Sequence, residues 1–120
     1  MEERKKYSYD YPHPAVATDS VVFGFDGERL QVLLIERGIE PFKGCWAFPG
    51  GFLRMNESAD EGALRELKEE TNLDAERLEQ FHTFSSVNRD PRERVISIAY
   101  FALIKISEVK GGDDAKRAQW

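Results

Sequence analysis

Hydrophobic residues follow distinct spacings along this chain, and each spacing predicts an element. Residues 15–25 are rich in Val and Phe, a "DGE" turn follows, and residues 30–35 read "LQVLLI", which predicts a β-hairpin. Residues 41–51, "PFKGCWAFPGG", are interrupted by Gly and Pro and predict a loop with a short strand. Residues 78–87 and 94–106 predict two further strands around the loop "NRDPRE". The second of these is apolar on both faces, as expected for a central strand.

One helix is predicted between the hairpin and the last two strands. Ser58 and Glu61 have the S-x-x-E spacing of a capping box, which marks a helix N-terminus. Leu64 and Leu67 follow at helical spacing and give the helix a small apolar stripe. Asn72 stands where a left-handed C-terminal cap is needed, a conformation that Asn tolerates better than most residues. The helix is therefore predicted between these two caps.

The two ends of the chain carry no clear hydrophobic period. Residues 1–13, "MEERKKYSYDYPH", are polar and predict an N-terminal arm, which leaves 14–120 as the folded domain. Residues 107–120 are also polar until the final aromatic residue. Either the final Trp120 packs back onto the sheet, or the domain is C-terminally incomplete, with its last strand and C-terminal helix beyond this sequence.

Length, composition and charge narrow the function classes. A chain of 120 residues can form one domain with one sizeable core. The hydrophobic content of 41% and the charged content of 32% suit a soluble globular protein. The net charge is −5 and the basic residues are scattered, which disfavours nucleic acid or an anionic membrane as the main partner. No apolar run approaches the roughly 20 residues of a membrane span, and the N-terminus lacks a signal-peptide core.

The chain has one cysteine, Cys45, so it forms no internal disulfide. No His or Cys lies near it at the spacing of a metal site, and we expect a buried or half-buried structural thiol. A reducing, cytoplasmic setting fits this cysteine usage.

The acidic residues concentrate between positions 57 and 79, and their spacing on the helix is unusual. Glu66, Glu69 and Glu70 project within about one third of the helix circumference. Like charges at this spacing cost a few tenths of a kcal/mol per pair, a cost that a bound divalent cation removes. Carboxylate oxygens suit Mg²⁺ or Mn²⁺ rather than zinc. The alternative is a solvated acidic helix face without a ligand.

The residues around these acids fit a supporting role. Gly50 and Gly51 let the backbone pass close to a ligand or to the helix. Glu57 lies just before the helix cap, and Arg65 could reach back to pair with it. Such a pair would pin the loop against the helix, so Glu57 and Arg65 are interpreted as structural and the three helical acids as a metal platform.

Residues 51–73, "GFLRMNESADEGALRELKEETNL", resemble the Nudix box. That box reads glycine, five residues, Glu, seven residues, then Arg-Glu-aliphatic-x-Glu-Glu-x-Gly-aliphatic. The matching positions are Gly51, Glu57, Arg65, Glu66, Leu67, Glu69, Glu70 and Leu73. Asn72 replaces the last glycine of the pattern, a substitution that a left-handed cap permits. Agreement at this many typed positions is a specific signal.

The resemblance implies an α/β fold, the Nudix α/β/α sandwich around a mixed β-sheet. It also implies hydrolysis of a nucleoside diphosphate linked to another moiety, with a catalytic unit formed by Glu57, Arg65 and the three helical acids. By resemblance Glu66, Glu69 and Glu70 are the ligands of Mg²⁺ or Mn²⁺. One of them, or an acid outside the box, orients or deprotonates the attacking water. The outside candidates are Asp90, Glu93 and Glu108.

Two further segments resemble the ADP-ribose pyrophosphatases of this superfamily. They are "PFKGCWAFPGGF" and the "RDPR" loop that leads into "VISIAY", and they imply cleavage of ADP-ribose to AMP and ribose 5-phosphate. Arg89 and Arg92 could hold a phosphate or the terminal ribose, and Phe42 or Trp46 could stack on adenine. For Trp46, however, the favoured interpretation is that it belongs to the core together with Phe48. Enzymes of this type are often homodimers, so a homodimer is expected by analogy.

The same segments also resemble Nudix-type transcription regulators. In those proteins a Nudix domain senses a sugar or nucleotide, and a DNA-binding domain follows it. The rival prediction is therefore a ligand-sensing module with a DNA-binding domain beyond residue 120, and nucleic acid is a partner only in that case. Every acid of the box is present here, which favours hydrolysis.

Overall fold

The computed structural model of the protein describes residues 6–120. It contains one helix and eight strands within these residues. The elements are β1 Ala15–Phe25, β2 Leu30–Val32, β3 Leu34–Arg37, β4 Trp46–Ala47, β5 Gly50–Phe52, α1 Ala59–Thr71, β6 Glu79–Phe84, β7 Val95–Lys105 and β8 Ala115–Gln119. The predicted helix and the predicted long strands are present, and residues 6–13 precede the first strand with their side chains exposed.

The larger sheet is mixed, as predicted, with strand order β2-β1-β7-β6 and β5 paired with β1. Strands β1 and β7 are parallel along their full length, whereas β6 is antiparallel to β7. The central position predicted for the doubly apolar segment 94–106 is confirmed by β7, which lies between β1 and β6. Because β5 pairs with β1, it brings the Gly50–Gly51 backbone to the edge of this sheet next to α1.

The predicted hairpin is confirmed, but its second strand is shorter than residues 30–35. Strand β2 pairs antiparallel with β1, and the Leu33 backbone N–H still donates to the Val22 carbonyl at 2.9 Å. From Leu34 onward the chain joins a second, three-stranded sheet with the order β4-β3-β8. The largely apolar segment "LQVLLI" therefore contributes to two sheets, which its pattern alone does not show.

The strand β8, which the polar pattern of residues 107–120 does not predict, pairs antiparallel with β3. Its sequence, "AKRAQ", has no hydrophobic period because only Ala115 is buried and most of its other side chains are exposed. Trp120 follows and packs against the core, and its Nε1–H donates to the Ser107 carbonyl at 2.7 Å. The Trp120 ring passes so close to Gly24 that a Cβ there would lie 2.6 Å from it.

Both helix caps are confirmed. The Glu61 backbone N–H donates to Ser58 Oγ at 3.1 Å, and the Ser58 backbone N–H donates to Glu61 Oε1 at 2.9 Å. At the other end Asn72 adopts the left-handed conformation with φ 62°, and its N–H donates to the Lys68 carbonyl. These two local devices fix where the acidic helix begins and ends.

The core lies between α1 and one face of the larger sheet. Leu67 and Ala63 of the helix pack with Val22 of β1 and Tyr100 of β7, and all four are almost fully buried. Burial of a side chain such as Leu67 contributes about 2 kcal/mol. Tyr100 also donates its hydroxyl hydrogen to Asp60 at 2.5 Å. This packing holds α1 in one orientation over the sheet, and so directs its acidic face towards β5.

Two expectations about burial are wrong. Cys45 is exposed, because it lies in the turn before β4, where its N–H donates to the Phe42 carbonyl. Trp46 and Phe48 are 42% and 41% exposed, so they do not belong to the core. The reason for Trp46 is that β4 is an edge strand, and the indole packs against the Arg117 guanidinium at 5.5 Å instead of the interior. The helix of the described chain is too short and too polar to cross a membrane.

Candidate active site at the acidic helix

The predicted pair between Glu57 and Arg65 is present. Arg65 donates from Nε to Glu57 Oε2 at 2.8 Å and from Nη2 to Oε1 at 2.6 Å. Glu57 also accepts a hydrogen bond from the Arg54 backbone N–H at 2.9 Å. The hydrogen bonds from Arg65 lower the pKa of Glu57 to about 2, so this carboxylate stays ionised at neutral pH. The loop before the helix is thereby fixed to the helix.

Arg65 is also the centre of a wider network. Its Nη1 donates to Glu66 Oε1 at 2.7 Å and to Glu69 Oε2 at 3.1 Å, and its Nη2 donates to the Phe52 carbonyl at 3.2 Å. The Arg65 side chain is only 17% exposed, and these contacts raise its pKa further. The Arg65 guanidinium therefore orients the carboxylates of Glu57, Glu66 and Glu69 and the end of β5. Its single positive charge offsets only part of the negative charge of these three acids.

Glu70 has a different environment from the other two helical acids. It is 3% exposed, and its Oε1 accepts a hydrogen bond from the Gly50 backbone N–H at 2.7 Å. Burial raises the pKa of Glu70 to about 8. Burial also raises the pKa of Glu66, although Arg65 opposes that shift. Glu70 thus points inward to β5, and Glu66 and Glu69 form the more open part of the acidic face.

Glycine is required at positions 50 and 51 of β5, because other atoms lie very close to both Cα atoms. A Cβ on Gly50 would lie 2.0 Å from the Thr18 carbonyl oxygen, and a Cβ on Gly51 would lie 2.7 Å from the Glu66 carboxylate. No larger residue fits at either position without displacing the strand or the acid. The backbone of β5 and the acidic face of α1 therefore form one surface.

A third carboxylate that the sequence analysis did not single out joins this surface. Carboxylate oxygens of Glu66, Glu69 and Asp113 all lie within 4.8 Å of one another. Asp113 belongs to the turn "GGDD" before β8, and an acid pair in a glycine turn beside a strand end is the signal that could have identified it. Three hard oxygen donors at this separation fit Mg²⁺ or Mn²⁺, which take oxygen ligands.

The "RDPR" loop lies near the other end of this surface. Arg92 donates from Nη2 to Asp90 Oδ2 at 2.8 Å, and its guanidinium lies 4.9 Å from the centre of the Phe52 ring, next to Gly51. The hydrogen bond from Arg92 lowers the pKa of Asp90 to about 2. Arg89 is exposed. The structure therefore brings Arg92 close to the box through Phe52.

The other residues proposed from the sequence, Glu93, Glu108 and Phe42, make their contacts away from the acidic cluster. Glu93 lines a cleft of about 1160 Å³ together with Phe52, Arg54 and several residues of the segment 7–16. Glu108 is exposed beyond the end of β7. Phe42 is 60% exposed in the turn between β3 and β4 and has a positive φ of 63°. Its carbonyl accepts the Cys45 N–H, which is a contact within that turn.

Comparison with known proteins agrees with this geometry. The NUDIX domain family model matches residues 13–120. The chain is 44% identical over 116 residues to an ADP-ribose pyrophosphatase of Methanocaldococcus jannaschii, covering 97% of this chain and 66% of that enzyme. This chain thus spans just under two thirds of the length of that relative.

Two solved structures are similar to this fold. The NUDIX domain of Shewanella oneidensis NrtR, solved with ADP ribose, has a TM-score of 0.86 and 30% identity, and the match covers 93% of this chain and 77% of that one. A bifunctional NMN adenylyltransferase/ADP ribose pyrophosphatase of Francisella tularensis, solved with AMP and a Mn ion, has a TM-score of 0.81 and 30% identity, covering 93% of this chain and 35% of that one. With its box residues assembled as described and the family matched over nearly its whole length, this chain belongs to the Nudix family.

Proposed function

We propose that this protein is a magnesium-dependent Nudix hydrolase that cleaves ADP-ribose to AMP and ribose 5-phosphate. The observation that carries the proposal is a Nudix box with its arginine and every acid present, in a chain 44% identical to an ADP-ribose pyrophosphatase. A cytoplasmic location and a homodimeric state belong to the same proposal. The single free cysteine suits a reducing cytoplasm, and the homodimer is proposed by analogy with enzymes of this type.

The helical acids Glu66, Glu69 and Glu70 are the proposed metal ligands. Their carboxylate oxygens are the donors that Mg²⁺ and Mn²⁺ prefer, and the Francisella relative was solved with a Mn ion. When bound, such a cation offsets the charge of a pyrophosphate and lowers the pKa of a coordinated water. Arg65 holds Glu66 and Glu69 by hydrogen bonds, which keeps their oxygens in place. Gly51 lets the backbone of β5 lie close to the Glu66 carboxylate, where a Cβ would collide with it.

The base that activates water is proposed among the acids outside the box. Asp90 is a poor candidate, because Arg92 occupies its carboxylate and keeps its pKa at about 2. Glu93 is the stronger candidate, since it lines the cleft that Phe52 and Arg54 also line. Glu108 lines neither that cleft nor the acidic cluster.

The substrate-binding part of the proposal uses the positive charges near β5. Arg92 stacks on Phe52 next to the Gly50–Gly51 backbone, which suits a phosphate or a ribose. Arg89 lies in the same loop and is exposed, so its guanidinium is open to an anion. Phe42 is exposed enough to stack on a base, although its contacts are confined to its own turn.

The test is a screen of nucleoside diphosphate compounds with Mg²⁺, reading the released products on the intact protein. We expect ADP-ribose to be turned over fastest and to give AMP and ribose 5-phosphate in equal amounts. Faster turnover of a nucleoside triphosphate or a dinucleoside polyphosphate would contradict the substrate assignment and leave the hydrolase assignment in place.

A ligand-sensing module of a transcription regulator is the second candidate function. The observation that favours it is the similarity to the NrtR NUDIX domain, which was solved with ADP ribose. A sensor binds ADP-ribose tightly without cleaving it, whereas an enzyme consumes it. Calorimetric titration of ADP-ribose with product analysis after the titration therefore separates the two functions.

A further inference from the structure

Asp113 comes from a distant part of the chain and lies beside the acids of the Nudix box. Its carboxylate and those of Glu66 and Glu69 offer oxygens within 4.8 Å of one another. Mg²⁺ binds oxygen at about 2.1 Å, so two of its ligands lie at most about 4.2 Å apart. A side-chain adjustment of less than about 1 Å therefore brings all three oxygens within the reach of one cation.

The turn that carries Asp113 is held firmly against the helix. The Lys110 backbone N–H donates to the Thr71 carbonyl at the C-terminal end of α1, at 2.9 Å. Gly112 passes so close to the helix that a Cβ on it would lie 2.6 Å from the Glu69 carbonyl oxygen. These contacts fix the backbone of the turn, and with it the Asp113 Cα, next to the acids of the helix.

The charges around Asp113 are unbalanced. Within residues 6–120 its carboxylate takes part in no ion pair, whereas Glu66 and Glu69 share the cation Arg65. An acid held by its backbone beside two others repels them and destabilises the protein, unless a cation binds between them.

We propose that Asp113 is a further protein ligand, in addition to Glu66, Glu69 and Glu70, of the divalent cation at the Nudix box. This inference rests on the proposed metal-dependent function and adds a residue from outside the Nudix box. Its structural consequence is that the metal site is complete only when the 110–114 turn and β8 are docked on α1. The C-terminal segment then contributes directly to cation affinity.

The test is a titration of the intact protein with Mn²⁺, following free Mn²⁺ by electron paramagnetic resonance. Asp113→Asn removes one charge and keeps a side chain that tolerates the positive φ of 51° at this position. Asp114→Asn is the matched control, because it removes the same charge one residue away and Asp114 is not part of the cluster. We expect Asp113→Asn to raise the Mn²⁺ dissociation constant about ten-fold or more, and Asp114→Asn to change it less than about three-fold.

Three results would overturn the inference. Wild-type affinity in Asp113→Asn would exclude Asp113 as a ligand and leave the proposed function intact. Equal weakening in both variants would show a general charge effect in place of ligation. Absence of Mn²⁺ binding in the wild-type protein would overturn both this inference and the proposed metal dependence. If circular dichroism shows that Asp113→Asn does not fold, Asp113→Gly, which also accepts a positive φ, replaces it with the same expected weakening.

Discussion

The Nudix box and the "RDPR" loop both combine arginines with acids, but with opposite balance. In the box, Arg65 is 17% exposed and is surrounded by Glu57, Glu66 and Glu69. In the loop, residues 88–94 contain three arginines and two acids, and Arg92 is 42% exposed. The box therefore has an excess of negative charge in a half-buried setting, and the loop has an excess of positive charge at the surface.

This difference assigns separate tasks to two neighbouring regions. A half-buried excess of carboxylates favours a small cation, because an unpaired charge is costly away from water. An exposed excess of guanidinium groups favours a phosphate or sugar that arrives from solvent. Phe52 connects the regions, since its carbonyl accepts from Arg65 and its ring lies under Arg92. A diphosphate with a bound cation would match both regions at once.

The largest expected effect is loss of turnover on removing one box charge. Glu69→Gln keeps size and helix propensity, and we expect ADP-ribose turnover with Mg²⁺ to fall about 100-fold or more, because a metal-ligand contribution is worth several kcal/mol. Glu76→Gln is the control, since Glu76 is exposed beyond the helix and is not part of the cluster. Equal turnover by the Glu69→Gln and Glu76→Gln variants would contradict a catalytic role for Glu69, because the box acid would then matter no more than an exposed acid.

Glu57→Gln should affect stability as well as rate. Glu57 accepts two hydrogen bonds from Arg65 and one from the Arg54 backbone, and its side chain is 10% exposed. Loss of a charged acceptor at such a site costs about 2 kcal/mol. Urea unfolding in metal-free buffer measures this loss, and turnover should fall in parallel. Unchanged stability would show that the pair with Arg65 does not fix the loop.

The caps and most of the fold were predictable because they follow local rules. Ser58, Glu61 and Asn72 carry their signals within one helical turn, and the hairpin and the central strand follow short hydrophobic patterns. The side chains of β8 are mostly exposed, so that strand has no such pattern. The exposure of Cys45 and Trp46 depends on which strand forms the sheet edge, and that is decided by pairing between distant segments.

In the candidate site, too, the features set by nearby residues were predictable, and those set by pairing between distant segments were not. The Glu57–Arg65 pair was predictable, because its partners lie eight residues apart in the sequence, just before the helix and about two turns into it. The inward orientation of Glu70 was not predictable, because its spacing groups it with Glu66 and Glu69. Glu70 accepts a hydrogen bond from the Gly50 N–H, which reaches it only because β5 pairs with β1. Asp113 was missed because its approach to the helix depends on the docking of β8.

A smaller effect is expected in the loop. Arg89→Gln should raise the KM for ADP-ribose about ten-fold and leave kcat within about two-fold, because a surface contact made equally in ground state and transition state affects binding alone. Arg77→Gln, at an exposed position next to β6, is the control. A fall in kcat at unchanged KM would place Arg89 in the chemical step and contradict the assignment of tasks.

The smallest expected effect is a loss of stability of the "RDPR" loop at low pH. Arg92 depresses the pKa of Asp90 from 3.8 to about 2, so this contact stabilises the loop above about pH 4 and is lost as pH falls through 2. Hydrogen exchange of the Arg92 amide, which donates to Asp90 Oδ1 at 2.8 Å, reports this loss. Asp90→Asn should show no such change between pH 5 and 2. Identical pH profiles for the two proteins would contradict the prediction.

The most direct test of the central claim combines stability and turnover for Glu70→Gln. In the metal-free protein at neutral pH, Glu70 is largely protonated because its pKa is about 8, and a neutral Gln can still accept the Gly50 N–H. We predict that metal-free stability stays equal or rises by a few tenths of a kcal/mol, while turnover with Mg²⁺ falls about 100-fold or more. A fully active Glu70→Gln protein would contradict the claim that these acids are there to bind a metal.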